Sequence, residues 1–321
     1  MRAACINMIH ELAKADPRIV YIGSDLGAGT LDAMREEMPE RFFMEGIAEA
    51  NLVGMAAGLA MEGYIPYVHT IANFLTRRAF EQIAVDVCLH DLPVRLVGNG
   101  GGLVYAPLGP THMAVEDIAA MRSLPHMTVM APADADEINR LMPQTVDHPG
   151  PMYIRLAKGY DRIVTRQEDV CVLGKGVLLR PAADVLFVTT GVMAQRALDA
   201  AEVLAGDGVE CGVLHLNTVK PLDVETLTAL APAVGLMVTV EEHTLIGGLG
   251  SAVAEFFADT GIGASTRLLR LGLPDSFCSD YGSQDFLLEK NGLSPAGIAA
   301  STNSALAALS TKADAGKAQT G

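Results

Sequence analysis

Short runs of β-branched and aromatic residues alternate with longer stretches of helical periodicity along most of this chain, and that alternation leaves few folds open. In the first half the strand candidates are residues 18–23, 41–44, 64–70, 94–98, 128–131 and 152–156. Helical stretches fall between them at 31–38, 52–61, 76–90, 115–122 and 135–146, after an opening amphipathic helix that ends near Pro17. A second series follows a polar segment at 160–168, with strands at 185–190, 210–214, 236–240 and 267–271 and helices at 194–204, 224–230 and 250–259. Strand–helix alternation favours parallel sheets covered on both faces. The expected architecture is therefore α/β in two domains, each a mainly parallel sheet flanked by helices. The boundaries read as a first domain at 1–165, a linker at 166–182, a second domain at 183–309 and a flexible polar tail at 310–321.

Composition narrows the function. Of 321 residues half are hydrophobic, enough for two cores, and 38 acids against 23 bases leave a formal charge of −15. Such a surface repels phosphate backbones, and there is no local basic cluster to reverse that, so no nucleic-acid partner is expected. No run approaches the 18 or so apolar residues that a bilayer span requires. The first residues lack the apolar core and cleavage site of a signal peptide. Five scattered cysteines (Cys5, Cys88, Cys171, Cys211, Cys278) have no metal-ligand spacing and read as buried hydrophobes of a reduced, cytoplasmic protein.

The most informative segment surrounds Glu49. From Ile47 to Met61 it is the only charged residue, and Gly54, Ala56, Ala57, Gly58 and Ala60 are small enough to admit a packed subunit interface. A carboxyl group buried there loses hydration, which raises its pKa and lets it donate a hydrogen bond to a ring nitrogen. The plainer reading is an acid in a first helical turn, complementing the helix dipole.

Residues Arg41-Phe42-Phe43-Met44-Glu45-Gly46-Ile47-Ala48-Glu49-Ala50-Asn51 resemble the R-F-x-x-x-G-I-x-E-x-N segment of transketolases and 1-deoxyxylulose-phosphate synthases. Thr70-Ile71-Ala72-Asn73-Phe74 followed by Arg78-Ala79-Phe80-Glu81-Gln82 is similar to the family's T-F-x-x-F-x-x-x-R-A-x-x-Q, and Gly109-Pro110-Thr111-His112 to its G-P-T-H. Val219-Lys220-Pro221-Leu222-Asp223, Glu241-Glu242-His243 and Gly247-Gly248-Leu249-Gly250 resemble signatures of the family's carboxy-terminal domain. These motifs keep the family's order over most of the chain.

The resemblance implies thiamine diphosphate as cofactor, with Glu49 against the aminopyrimidine ring and Phe74 stacked on it. Ile71 stands where a second aromatic is usual, making one wall of the pocket aliphatic; Asn73 and Arg77 complete the expected cofactor surroundings. His112 is the implied proton carrier at the substrate carbonyl, although a histidine satisfied by its own loop is the bland alternative. Leu108 replaces the acid that usually precedes G-P-T-H and reads a sugar hydroxyl, which suggests an unusual donor. Lys158 or Arg155 would supply positive charge to a substrate phosphate. His69 could line the cleft or belong to the core. The glycine run 99–105 either cradles an anion or forms a mobile loop, the latter being favoured.

Gly206-Asp207-Gly208 imitates the family's Mg²⁺-binding G-D-G, but Asn217 follows too soon and no strand precedes, so it reads as a surface turn. Glu241-Glu242-His243 reads as domain packing, because neighbours on a strand point oppositely and chelate poorly. Gly247-Gly248-Leu249-Gly250 lacks the Lys-Ser/Thr of a phosphate loop and reads as close packing at a helix start. The implied protein is the carboxy-terminal subunit of a split transketolase. A separate amino-terminal subunit would hold Mg²⁺ and the diphosphate, in a heterotetramer of two chains of each kind. The implied reaction transfers a two-carbon ketol unit from a ketose, phosphorylated by expectation, to an aldehyde. A decarboxylating transfer from pyruvate and a non-catalytic scaffold remain as alternatives.

Overall fold

The computed structural model describes residues 1–24, 31–157, 159 and 161–320. The first sheet contains β1 (Ile19–Gly23), β2 (Phe42–Met44), β3 (Ile65–Ile71), β4 (Arg95–Asn99), β5 (Thr128–Met130) and β6 (Met152–Leu156). The second contains β7 (Gly176–Arg180), β8 (Val185–Thr189), β9 (Cys211–Leu216), β11 (Leu236–Thr244) and β12 (Arg267–Leu273). One short strand, β10 (Thr218–Lys220), leaves the second half of the chain and joins the first sheet. The orders are β10-β5-β6-β4-β3-β1-β2 and β12-β11-β8-β9-β7. Pairing is parallel except for β10 on β5 and β7 on β9. Strands β1, β4, β6 and β8 are buried at every position, as central strands of a sheet covered on both faces must be.

Four departures from the sequence reading have physical reasons. The expected linker at 166–182 contains β7, a partly exposed edge strand admitted by Gly176, where any side chain would meet Leu214 and Leu216. The single helix expected over 76–90 is instead a helix at Ala72–Arg78, a short turn at Phe80–Gln82 and a wider-wound run at Ile83–Cys88. There the Leu89 and Leu92 N–H groups reach carbonyls five residues back. The segment from 310, expected as a frayed tail, continues the helix Pro295–Thr320, whose alanines favour helix intrinsically. The glycine run after β4, expected to be mobile, is buried and packed. A Cβ at Gly101 would lie 2.6 Å from Arg155 Cγ, and one at Gly102 (φ +70°) 2.6 Å from Glu242 Cγ. Glycine here makes room for charged side chains from other strands.

Those side chains join the domains. Arg155 on β6 donates to the Asp117 carboxylate at 2.8 Å, and to the Ala114 and Glu242 carbonyls at 3.0 Å each. Tyr153 O–H donates to the same Asp117 at 2.7 Å. Burial pushes the Asp117 carboxyl up, and Arg155, His243 and the Tyr153 hydrogen bond together more than offset it, leaving the group below its ordinary value. From β11, Glu242 accepts from the Leu103 N–H and from Gln284, both at 2.8 Å, while His243 Nε2 accepts from the Ala119 N–H at 3.2 Å. Glu241 caps the helix Leu249–Thr260 by accepting from the Leu249 and Gly250 N–H groups. A side chain at Gly248 would collide with it. The Glu-Glu-His run is thus packing machinery, and an apolar cluster running from Leu52 and Met121 through Val219 to Val253 and Phe256 accompanies it.

Replacing Arg155 by Met leaves a fully buried carboxylate without its counter-charge. The expected loss is about 3–5 kcal/mol of unfolding free energy, measured by urea denaturation; a loss below about 1 kcal/mol would show that Asp117 is not held as an ion there.

Candidate functional site

Glu49, Asn73, Phe74 and His112 gather at the carboxyl ends of β2, β3 and β4, the edge where parallel sheets place ligands. The helix Glu49–Met61 follows β2, the helix Ala72–Arg78 follows β3, and the loop carrying His112 follows β4.

Glu49 opens its helix and shares the inward face with Leu52, Val53, Ala56 and Ala60, the spacing of one helical stripe. Its side chain is 2% exposed. Oε2 accepts from Arg78 Nη1 at 3.1 Å, whereas Oε1 is buried with no hydrogen-bond partner. Phe74 and Arg78 are four residues apart on one helix and therefore on one face. The guanidinium lies over the Phe74 ring, 4.0 Å from its centroid. The His112 ring meets Phe74 edge-on at 5.1 Å, and His112 Nδ1 shares a hydrogen bond with Thr111 Oγ1 at 2.9 Å. Asn73 ties this helix to the His112 loop by donating to the Thr111 carbonyl, with its own Oδ1 buried and unpartnered. Glu49, Phe74, Asn73 and His112 thus form one constellation.

The other candidates are placed differently. Ile71 is half-buried at the start of the helix Ala72–Arg78. Arg77 pairs with Glu116 and donates to the Met113 carbonyl at the rim. From there a cleft of about 690 Å³ passes Val115, Thr244, Pro274 and Phe277 between the domains. Leu108 is exposed in the turn Ala106–Leu108. Arg155, expected as a phosphate ligand, is committed to Asp117 and two carbonyls and is 7% exposed. That assignment is corrected, because a buried arginine spent on a carboxylate has no charge left to offer a substrate. Lys158 lies outside the described residues. His69 is sealed within the sheet, sharing a hydrogen bond with Tyr21 at 2.9 Å, and burial lowers its pKa to about 3. The Gly206-Asp207-Gly208 segment is the turn ending the helix Met193–Gly206, with Gly208 at φ +82°. Asn217 is held by Val172 and Gly174.

The sequence marks Arg78 only as part of a family-like motif and gives no sign of Tyr281, whose ring packs against Gly109 beside the His112 turn. The four-residue spacing from Phe74 to Arg78 is a signal for their stacking. Nothing local marks Tyr281, which arrives from the second domain.

Two family models match, "Transketolase, pyrimidine binding domain" over residues 1–162 and "Transketolase, C-terminal domain" over 174–298. The chain is 40% identical over 294 residues to the 6-deoxy-6-sulfo-D-fructose transketolase subunit of Clostridium sp. (strain MSTE9), covering 91% of this chain and 90% of that one. It is 40% identical over 308 residues to 1-deoxy-D-xylulose-5-phosphate synthase 1 of Geobacter sulfurreducens (strain ATCC 51573 / DSM 12127 / PCA), spanning 95% of this chain but 48% of that relative. Among solved structures, a split-gene transketolase described as an inactive β4 tetramer superposes with TM-score 0.85 at 36% identity, over 95% of this chain and 97% of that one. A Pichia stipitis transketolase variant, at TM-score 0.78 and 21% identity over 95% of this chain and 45% of its own, shares the fold.

The sealed His69 predicts a pH effect. Its folded pKa is near 3 and its unfolded value about 6.5. As pH falls through that interval the unfolded chain gains a proton that the folded chain refuses, so stability falls. A His69→Gln variant will show a shallower acid limb, by up to about 1.4 kcal/mol per pH unit, in denaturation midpoints collected from pH 7 to pH 4. An unchanged slope would contradict the burial argument.

Proposed function

Because the chain belongs to the transketolase family through both its pyrimidine-binding and its carboxy-terminal domain, we propose that it is the carboxy-terminal subunit of a two-component, thiamine diphosphate-dependent transketolase. The reaction is transfer of a two-carbon ketol unit from a ketose with an anionic end group to an aldehyde. The observation that carries this reading is Glu49, a buried carboxyl with one oxygen unpartnered, joined through the Arg78 guanidinium to the Phe74 ring that His112 meets edge-on.

These residues fit a flat nitrogenous ring. The Phe74 face suits stacking, and an orphaned carboxyl oxygen suits a hydrogen bond to a ring nitrogen. When bound, thiamine diphosphate supplies a nucleophilic carbon and an electron sink for carbon–carbon cleavage. Glu49 holds the ring in register through a hydrogen bond between its carboxyl and a ring nitrogen. Phe74 covers one ring face and excludes water. Thr111 engages His112 Nδ1, so Nε2 is the nitrogen assigned to give and take a proton at the substrate carbonyl oxygen. Leu108 replaces a polar sugar contact with an apolar one, which favours a donor altered at that position.

An amino-terminal partner subunit holds Mg²⁺ and the diphosphate in this proposal, with two chains of each kind in the assembly. Support comes from the relative named as a transketolase subunit, of which this chain spans 90%. Further support comes from the split-gene structure, whose β chains alone form a tetramer described as inactive. The likeness to 1-deoxyxylulose-phosphate synthase favours a second reading, decarboxylating transfer from pyruvate to an aldehyde. Release of CO₂ from pyruvate, against cleavage of a ketose phosphate or sulfonate, separates the two.

A Glu49→Gln variant assembled with the amino-terminal subunit will keep its oligomeric state and lose about 10²-fold or more in turnover, measured with coupled assays of ketose cleavage. Wild-type rates would remove Glu49 from the mechanism.

A further inference from the structure

We propose that Arg78 is a built-in placeholder for the cofactor ring, filling the space between Glu49 and Phe74 until the aminopyrimidine displaces it. The proposal rests on the preceding reading of Glu49 and Phe74.

The guanidinium is flat and delocalised, as an aminopyrimidine ring is, although its N–H groups donate where a ring nitrogen accepts. It already occupies the two positions that such a ring would take, beside Glu49 and over Phe74. Nη1 donates to Glu49 Oε2 at 3.1 Å, and the guanidinium carbon stands 4.0 Å above the Phe74 centroid. Stacked carbon atoms sit about 3.5–4 Å apart, so one face of Phe74 cannot carry both groups at once. Arg78 must leave for the ring to enter. Its side chain is 49% exposed, and its long stem gives it a route into solvent.

The arrangement has a physical rationale in the empty chain. Glu49 is 2% exposed, and without a counter-charge its carboxylate would be buried uncompensated. Arg78 supplies that charge from the solvent side, where it can be withdrawn. The helix encodes the device through spacing alone, since residues four apart share a face and the arginine therefore lies over the phenylalanine.

A placeholder reduces apparent affinity by the fraction of chains in which it is displaced, and it does so through the association rate. The test uses the chain assembled with its amino-terminal subunit, titrated with thiamine diphosphate and Mg²⁺ by calorimetry and followed by stopped-flow. Arg78→Met is expected to tighten binding about tenfold, through faster association with unchanged dissociation. Arg78→Lys keeps a charge for Glu49 without the flat stack and is expected to fall between, which preserves the test if the methionine variant does not fold. Unchanged or weaker binding in a folded variant, while the wild-type complex binds, overturns the placeholder and makes Arg78 a bystander or a direct cofactor contact. Failure of wild-type and variant complexes alike to bind thiamine diphosphate overturns the reading of Glu49 and Phe74, and the placeholder with it.

Discussion

A carboxyl group taken out of water needs partners for both oxygens, and Glu49 has one for only one of them. Much of the surrounding architecture follows from tolerating that deficit. Apart from Asn51, the helix that begins at Glu49 is made of small and apolar residues, so the acid enters the interior with no second charge on the same element. The compensating charge comes from the helix Ala72–Arg78 and from a side chain that remains half in solvent. A fully satisfied carboxylate would be a better structural element and a poorer ligand for an incoming ring.

The site also depends on how firmly the domains are joined. The His112 loop is bound on one side to Asn73 and packed on the other by Tyr281 from the second domain. Its stem is the glycine run against which Arg155 and Glu242 pack. Asp117, Arg155 and Tyr153 form a buried polar knot whose outer bonds reach β11. Buried pairs of this kind contribute little net stability over well-packed apolar residues but are costly to break singly. Their service here is geometric, since they fix the loop at the end of β4 relative to the helix that follows β3.

Much of the fold was legible because parallel α/β domains repeat one local pattern, and long buried strands such as β6 and helices such as Ala135–Val146 carry it without ambiguity. Strands β7 and β10 escaped notice for want of pattern: one is a partly exposed edge strand and the other has three residues. Within the site, motif order brought Glu49, Phe74 and His112 to attention. It could not reveal that Arg155 would be neutralised by Asp117, 38 positions away in the chain. Nor could it show that the glycine run would be filled by Glu242, or that His69 would be sealed behind Tyr21. Those facts are set by tertiary packing. The pairing of Arg78 with Phe74 was open to sequence reasoning, because it needs only the helical repeat.

The most direct measurement is a crystal structure of this chain assembled with its amino-terminal subunit, thiamine diphosphate and Mg²⁺. The account predicts a Glu49 carboxyl oxygen within about 2.6–3.2 Å of a pyrimidine nitrogen, the ring stacked on Phe74, and the Arg78 guanidinium withdrawn from that face. A cofactor bound elsewhere, with Arg78 still seated between Glu49 and Phe74, would contradict it.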